Sequence, residues 1–231
     1  MESSPPINAA IDRSLELSQW ISEHHPATFQ SDGQNALAVA FFSIALDHRG
    51  AILCLLRHGA RTSAFALARP VYEACVKGSW AQHCATEADR IRAFDQGVLP
   101  AFDGMVRALG KVKETDGVFG RSKAMAWEAL SDYAHGGMKQ VIRWFGADGV
   151  APQHSETEVQ ELMNLMDVYG LLACMGIVGV AGGSLDLHAG KAQEVIDRHK
   201  QWKAELRASQ ERSALAATIA GTPQHAPDGD I

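Results

Sequence analysis

Residues 36–84 read ALAVAFFSIALDHRGAILCLLRHGARTSAFALARPVYEACVKGSWAQHC, and this stretch decides the fold. Its apolar residues recur without the alternation of a surface strand, which predicts two long and mostly buried helices. The first runs over Asp32–His58, with its opening aspartate as the N-cap, and Gly59 is well placed to close it. The second runs over Thr62–Cys84 and crosses Pro70, where we expect a kink or a restart because proline lacks the backbone N–H.

Further helices are predicted on both sides of this stretch, each from an apolar periodicity near 3.6 residues and a start or stop signal. They are a first helix ending near His25–Pro26, a fourth over Thr86–Leu109 interrupted at Pro100, a fifth over Ser122–His135, a sixth over Met138–Phe145, a seventh opened by the capping box of Ser155 and Glu158, and a last one over Leu187–Leu215. Gly110–Gly120 and Gly146–His154 are predicted connections. The sequence therefore predicts an all-α protein, a bundle of about seven or eight helices with no sheet.

The composition bounds the number of domains and the class of partner. The chain has 231 residues, of which 46% are hydrophobic, enough apolar mass for one substantial core. We predict a single helical domain over residues 1–217 and a disordered tail over 218–231, where Pro, Gly and Asp occur without periodicity. The formal net charge of −6 argues against broad capture of nucleic acid, although a small basic groove would be hidden in that total.

The sequence favours a soluble protein in the cytoplasm. Its start has neither the basic nor the apolar part of a secretory signal. The uncharged stretch Val168–Leu185 has about the minimum length that crosses a bilayer, but no Lys or Arg flanks it. We expect this stretch to be the central helix of a soluble bundle. A second apolar stretch, Ala36–Leu46, is too short to span, so no membrane association is expected.

Arg69 and Glu73 form the first candidate site. They are four residues apart, so they share one face of the predicted third helix and can touch. One interpretation is an ion pair that fixes the register of the bundle. The other uses Arg69 as a fixed cation for a phosphate or carboxylate, with Glu73 as its orienting partner or as a general base.

Asp132, Tyr133 and His135 form the second candidate site, near the end of the predicted fifth helix. Asp132 can accept a hydrogen bond from the ring of His135, which would prepare the imidazole for acid–base work. Alternatively, His135 ends the helix and bonds its last carbonyls before Gly136 and Gly137. A carboxylate-bridged metal centre would need several pairs of a carboxylate and a histidine at this spacing, from different helices, and Asp132-x-x-His135 is the one such pair in the sequence. We therefore expect neither a metal nor a cofactor.

Other charged and imidazole side chains are predicted to be solvated. The group in and after the second helix is interpreted as a patch where that helix leaves the core; it comprises Asp47, His48, Arg49, Arg57, His58 and Arg61. Several histidines lie at termini or in polar segments, among them His154 and His188, and are predicted to be exposed. The sequence contains no phosphate-binding loop, dinucleotide fingerprint, zinc-protease motif or nucleophile elbow.

The segments LARPVYEACVKGSW and LSDYAHGG together resemble a family of bacterial helical proteins of unknown function. Its members share a long apolar helix, then Arg-(Pro/Ser)-x-(Tyr/Phe)-Glu, then Ser/Asn-x-Tyr-x-His-Gly, and the resemblance covers about Ala36–Val180. The matching positions are Arg69, Pro70, Tyr72 and Glu73 in the first motif, and Ser131, Tyr133, His135, Gly136 and Gly137 in the second.

The chain is also similar to the helical HEPN-type domains, many of which are dimeric RNases in toxin–antitoxin or phage-defence systems. It departs from them because nowhere does a His follow an Arg by four to six residues. This resemblance implies an RNase or nucleotide-acting role in which Arg69 binds the phosphate and His135 acts as the base.

Two function classes follow from these observations. The first is a structural or protein-interaction role around a buried cluster of Arg69, Glu73, Asp132, Tyr133 and His135. The second is the HEPN-like enzyme, with the same five residues as its catalytic group. We expect a homodimer, and the charged last helix, whose apolar stripe is narrow, is a candidate surface for a further protein partner.

Overall fold

The computed structural model describes residues 4–26, 33, 35–146, 149–151 and 153–220, with side chains as far as Arg212. Within these residues the fold is built from nine α-helices, with one short 3₁₀-helix at Lys113–Thr115. The helices are α1 (Pro5–His24), α2 (Ala36–Arg57), α3 (Arg61–His83), α4 (Glu87–Gln96), α5 (Phe102–Leu109), α6 (Val118–Ala134), α7 (Met138–Ile142), α8 (Glu156–Val180) and α9 (Asp186–Ala220). The all-α prediction is confirmed.

The predicted fourth helix is two helices, which accounts for the additional element. α4 ends at Gly97, which adopts a left-handed conformation with φ 65°, three residues before Pro100. The predicted connection before α6 is also shorter than expected. Gly117, with φ 63°, precedes a helix that begins at Val118, four residues before Ser122. Pro70 lies inside α3, which is a single helix across it.

A short β-hairpin follows α7 and is the one exception, among the described residues, to the prediction of no sheet; it begins at Phe145, the last residue of the predicted sixth helix, and continues into the predicted connection Gly146–His154. β1 (Phe145–Gly146) pairs antiparallel with β2 (Gly149–Val150), and Phe145 lies opposite Val150. Strands of two residues are too short to leave an alternating pattern in the sequence. α7 ends at Ile142, so the predicted sixth helix was three residues too long.

The chain forms two compact units, residues 1–192 and 193–231. The described part of the second unit is the continuation of α9, where Val195 is buried and Trp202 and Leu206 are half-buried. α9 continues to Ala220, through the first three residues of the predicted tail, and residues 221–231 lie outside the described residues. A single domain over residues 1–217 stays a prediction.

Two glycines bring three helices of the first unit together around one phenylalanine. Phe42 of α2 is 1% exposed. A Cβ atom placed on Gly78 of α3 would lie 2.7 Å from its ring, and one on Gly176 of α8 would lie 2.3 Å from it. Because neither distance is sterically possible, glycine at both positions is what lets α3 and α8 approach α2.

A buried ion pair joins α2 to α8, contrary to the prediction that Arg49 is solvated. The side chains of Arg49 and Asp167 are 2% and 3% exposed, and Arg49 Nη2 donates to Asp167 Oδ1 across 2.7 Å. Arg49 also donates to the Ser18 hydroxyl and to the Ser14 carbonyl of α1, and the Ser14 hydroxyl donates to Asp167. The space comes from Gly170, since a Cβ there would lie 2.5 Å from Arg49 Cδ. The network therefore links α1, α2 and α8.

Two helices, α2 and α8, are long and apolar enough to cross a bilayer. The apolar window of α8 is 61% buried inside the protein, and that of α2 is 33% buried. The same property is shared by core helices of soluble proteins, and the buried pair of Arg49 and Asp167 joins these two helices to each other. The cytoplasmic location stays a prediction.

We expect Asp167→Asn to lower the free energy of unfolding by about 3–5 kcal/mol, because it leaves a buried guanidinium without its counter-charge. Urea unfolding followed by circular dichroism measures the change. The matched control is Arg57→Met, since Arg57 also lies on α2 but faces Asp12 across 3.9 Å with both side chains 62% exposed. That variant should lose less than about 1 kcal/mol. Equal losses in the two variants would contradict a dominant role for the buried pair.

Candidate functional site

Arg69 joins two helices that are distant in the sequence. It lies on α3, where its Nε donates to Glu73 Oε1 across 2.7 Å. Its Nη1 lies 2.6 Å from Nε2 of His135, at the end of α6. The guanidinium carbon lies 4.5 Å from the ring centre of Trp127 on α6, a cation–π contact. Arg69, Glu73, Trp127 and His135 form one group, which we call the α3–α6 clamp.

The contact with Arg69 fixes the tautomer of His135. A guanidinium has donors and no acceptor, so Nε2 of the imidazole accepts and the neutral ring carries its proton on Nδ1. His135 is also the residue at which α6 ends: its backbone N–H donates to the Ser131 carbonyl across 3.1 Å, and Gly136 follows with φ 64°. His135 thus ends its helix through its backbone, while its side chain binds Arg69.

The clamp is partly exposed, so the expectation of a buried cluster was wrong. The side chains of Arg69 and Glu73 are 20% and 23% exposed, and His135 is exposed. Two lysines that sequence analysis did not select extend the polar surface. Lys77 Nζ lies 3.3 Å from Glu73 Oε2, and Lys123 lies 5.5 Å from the Trp127 ring. Every carboxylate and every cation of the clamp therefore has a partner of the same chain.

Asp132 does not bind the ring of His135, and the role predicted for it was wrong. Its Oδ1 accepts the backbone N–H of Gln140 across 3.1 Å, in the first turn of α7, and the same N–H also donates to the Gly137 carbonyl across 3.0 Å. Gly137 allows this approach, since a Cβ there would lie 2.4 Å from Asp132 Oδ2. Asp132 therefore holds the start of α7 against the end of α6.

Tyr133 lies beside the clamp and makes different contacts. Its ring centre lies 5.1 Å from that of Phe65 on α3 and 6.1 Å from that of His154. A hydrogen bond with the Tyr133 hydroxyl raises the pKa of Arg143. Of the five predicted residues, Arg69, Glu73 and His135 are brought together, whereas Asp132 and Tyr133 support the chain that follows α6.

His154 and His188 are buried, contrary to the prediction that they are exposed. His154 is 3% exposed and stacks on Phe65 with ring centres 4.3 Å apart. Burial lowers its pKa, and neither ring nitrogen has a hydrogen-bond partner. Its carbonyl accepts from Arg61 Nη1 across 2.8 Å.

His188 is 5% exposed and its Nε2 lies 2.9 Å from the His24 carbonyl. Both His154 and His188 lie in polar stretches of the sequence, which did not indicate that they are buried.

The polar side chains of residues 138–146 are bound to the rest of the protein. Lys139 pairs with Glu128 across 2.7 Å, and Arg143 pairs with Glu158. The side-chain amide of Gln140 donates to a carbonyl of α3 across 3.3 Å. The connection after β2 is held as well, because the Gln153 N–H donates to the Arg143 carbonyl across 2.6 Å. This segment is therefore fixed to the protein by hydrogen bonds and ion pairs.

The apolar side chains of the same segment face solvent. Their exposed fractions are Met138 64%, Val141 38%, Ile142 58%, Trp144 38%, Phe145 64% and Val150 69%. Met138, Val141 and Ile142 are at i, i+3 and i+4 spacing, so they share one face of α7. We call these six residues the apolar face. The segment thus exposes six hydrophobic side chains to solvent beside ion pairs that are themselves partly exposed, since the side chains of Lys139 and Arg143 are 47% and 40% exposed.

Within the described residues, no three His, Cys, Asp or Glu side chains are grouped so that they could hold a metal ion. The expectations of no metal and no cofactor stay predictions.

We expect Arg69→Met to lower the free energy of unfolding by about 1–3 kcal/mol, because it removes two hydrogen bonds and a cation–π contact. A double-mutant cycle with His135→Ala should give a coupling energy of about 1 kcal/mol. Lys77→Met is the matched control, since Lys77 binds Glu73 and makes no contact with His135. Additive effects of Arg69→Met and His135→Ala would show that the two side chains do not stabilise the fold together.

We expect the stability to fall as the pH drops below about 6.5, in part because of His154. Its native pKa is lowered from 6.5 by burial, so in that range the unfolded chain binds a proton that the native protein does not. His154→Phe keeps the stacking on Phe65 and removes the ionisation. This variant should show a smaller loss of unfolding free energy between neutral and mildly acidic pH. The slope is not abolished, because His83 and His199 also have lowered pKa values. An unchanged slope would contradict the burial of a neutral imidazole.

The comparisons with known proteins assign the chain to a family but do not indicate what it does. Residues 42–203 match the model of a family of unknown function, and this range includes Arg69 and His135. No curated protein and no solved structure matches the chain. The bacterial origin, the two motifs and the likeness to HEPN-type domains therefore stay predictions. Because the match covers more than half of the chain, the protein belongs to the family of unknown function DUF6988.

Proposed function

We propose that this protein is a protein-interaction module that binds its partner through the apolar face of residues 138–150. The observation that carries this proposal is the exposure of six apolar side chains in one segment whose described charged side chains are paired within the chain. Lys139 and Arg143 are paired with acidic residues of the same chain, while Ile142 and Phe145 are more than half exposed. A folded chain gains no burial from such an arrangement, so the exposed side chains are available to a partner.

The residue types of the apolar face are typical of interfaces. Met, Trp and Phe are enriched in the centre of protein–protein contacts, and Trp144 directly precedes Phe145, the first residue of the hairpin. Clustered apolar exposure is also more informative than an isolated exposed leucine. These six side chains supply the large apolar anchors that dominate binding energy.

In this proposal the α3–α6 clamp has a structural role. It holds the end of α6 against α3, and the segment begins three residues after His135. Asp132 then binds the first turn of α7, and His154 packs against Phe65 where the chain returns to α8. The predicted site residues therefore support the proposal as positioning residues for the apolar face.

The geometry favours this role over an RNase centre. A general base needs a free lone pair, and Nε2 of His135 accepts a hydrogen bond from a permanently charged guanidinium. Arg69 is in turn paired with Glu73, which competes with a phosphate for the same cation. The net charge of −6 opposes a polyanionic substrate in general.

Photo-crosslinking in the cells that make the protein tests the proposal. A photoreactive phenylalanine analogue at position 145 should give a covalent product of one discrete mass, because Phe145 lies within the interface. The matched control is position 94, since Phe94 on α4 is exposed to a similar degree, 59% against 64%. The product should disappear when Ile142→Glu is added, because that change places a charge in the apolar face.

The absence of a discrete product at position 145 would contradict an interaction through this face. An equal yield at position 94 would also contradict it, since the contact would then be unspecific. The unfolding free energy of Ile142→Glu should equal that of the parent, because Ile142 is already 58% exposed and buries little apolar area.

A further inference from the structure

We infer that His154 is a pH-sensitive latch: its neutral ring holds the start of α8 against α3, and its protonated ring leaves this place and releases the chain around it. The inference does not rest on the proposed function, because it concerns how the fold responds to acid and not what the apolar face binds. It also goes beyond the pH dependence of global stability, since the latch opens locally while the helices stay folded.

His154 is a single buried side chain in a stretch that lies at the surface. It is 3% exposed, whereas its neighbours Gln153 and Ser155 are exposed. Its ring stacks on Phe65 of α3 with an interplanar angle of 14°, and its carbonyl accepts from Arg61 at the start of the same helix. His154 therefore attaches this stretch to α3 through both its ring and its backbone. Because its neighbours already lie at the surface, the ring can reach water without the rearrangement of a helix.

The place of the ring suits a neutral imidazole and not a protonated one. Among the described residues, neither ring nitrogen of His154 has a hydrogen-bond partner. A neutral ring leaves one donor and one acceptor unsatisfied there, whereas a protonated ring brings two donors and a positive charge. A buried charge without a partner costs far more free energy than a buried neutral polar group. Protonation therefore favours the conformation in which the ring is in water.

The groups that face the ring offer no free counter-charge among the described residues. They are Arg61 of α3, Tyr133 of α6, Arg143 at the end of α7 and Glu158 of α8. Glu158 is the one carboxylate, and it is occupied: its Oε1 pairs with Arg143, and its Oε2 accepts the backbone N–H and the hydroxyl of Ser155. Burial lowers the pKa of His154; Glu158 opposes this effect, and the two guanidiniums add to it.

The sign of the effect follows from the two states of the latch. In the open state the ring is in water and titrates near pH 6.5, whereas in the closed state its pKa is lower. The latch is therefore closed above about pH 6.5, and opening takes up one proton as the pH falls below that value. In this range the opening equilibrium shifts by up to about tenfold per pH unit, and the effect saturates below the pKa of the closed state.

Two backbone amides next to His154 report the opening. The Gln153 N–H donates to the Arg143 carbonyl across 2.6 Å, and the Ala151 N–H donates to the Trp144 carbonyl across 2.8 Å. These bonds connect the end of α7 and the start of the hairpin to the stretch that His154 attaches to α3. Release of the ring therefore leaves both amides free to exchange with solvent.

Hydrogen exchange of the purified full chain, followed by mass spectrometry at about pH 7.5 and about pH 5.5, tests the inference. After correction for the chemical exchange rate, the peptide with the Ala151 and Gln153 amides should exchange about tenfold faster at the lower pH. Peptides of α2 should keep their protection. His154→Phe should abolish the difference, because it keeps the stacking and cannot ionise. His154→Arg carries a permanent charge and should exchange fast at both pH values.

Three matched variants remove other titratable groups. His83 is a partly buried imidazole with a lowered pKa, and His135 is the imidazole of the clamp. Asp148 lies outside the described residues and is close to His154 in the sequence. His83→Phe, His135→Gln and Asp148→Asn should each keep the local acid response of the parent. Circular dichroism at both pH values checks that every variant is folded.

An acid response that persists in His154→Phe would overturn the inference. Its loss in one of the three matched variants would also overturn it and assign the response to that group. Faster exchange in all peptides together would show global unfolding instead of a latch. Since each variant is compared with itself at two pH values, a lower stability of His154→Phe does not affect the result, and protection in His154→Arg equal to that of the parent at neutral pH would contradict the latch independently.

Discussion

The guanidinium of Arg69 is the contact on which the arrangement of α6 and the following chain depends. It is held by Glu73 on its own helix, and it binds a ring nitrogen of His135, 66 residues later in the sequence. Trp127 covers its face. A partly buried charge with three such neighbours favours one position of α6 against α3, because any displacement of the helices would break at least one of these three contacts. The chain leaves α6 through Gly136 directly after this contact, so the clamp also sets where α7 begins.

Much of the fold could be predicted from local signals. The apolar stretch of residues 36–84 gave α2 and α3, and the capping box of Ser155 and Glu158 gave the start of α8. The errors are places where tertiary contacts outweigh local pattern. Arg49 follows two polar residues and looked solvated, yet its partner Asp167 lies 118 residues away on α8. Nothing near either residue in the sequence indicates that pair.

The candidate site was predicted in part, and the errors have a geometric reason. Spacing along one helix placed Arg69 beside Glu73, and the need to satisfy polar groups brought in His135. The residue spacing predicted a contact between Asp132 and His135 that does not form. Residues three apart share a face only within a continuous helix, and α6 ends at Ala134. The prediction that the cluster is buried was wrong as well. Although α3 is apolar on several faces, the face that carries Arg69 reaches solvent.

The sequence shows the helical periodicity of the apolar face but does not indicate that this face is exposed. Met138, Val141 and Ile142 show the spacing of a helix face that is normally turned toward a core. In this protein Asp132 and Glu128 hold the opposite face of α7, so the hydrophobic side chains are turned outward. Because these polar contacts already order the segment, the binding surface that we propose would be formed before a partner arrives. In this proposal association loses little backbone entropy, and more of the apolar burial contributes to affinity.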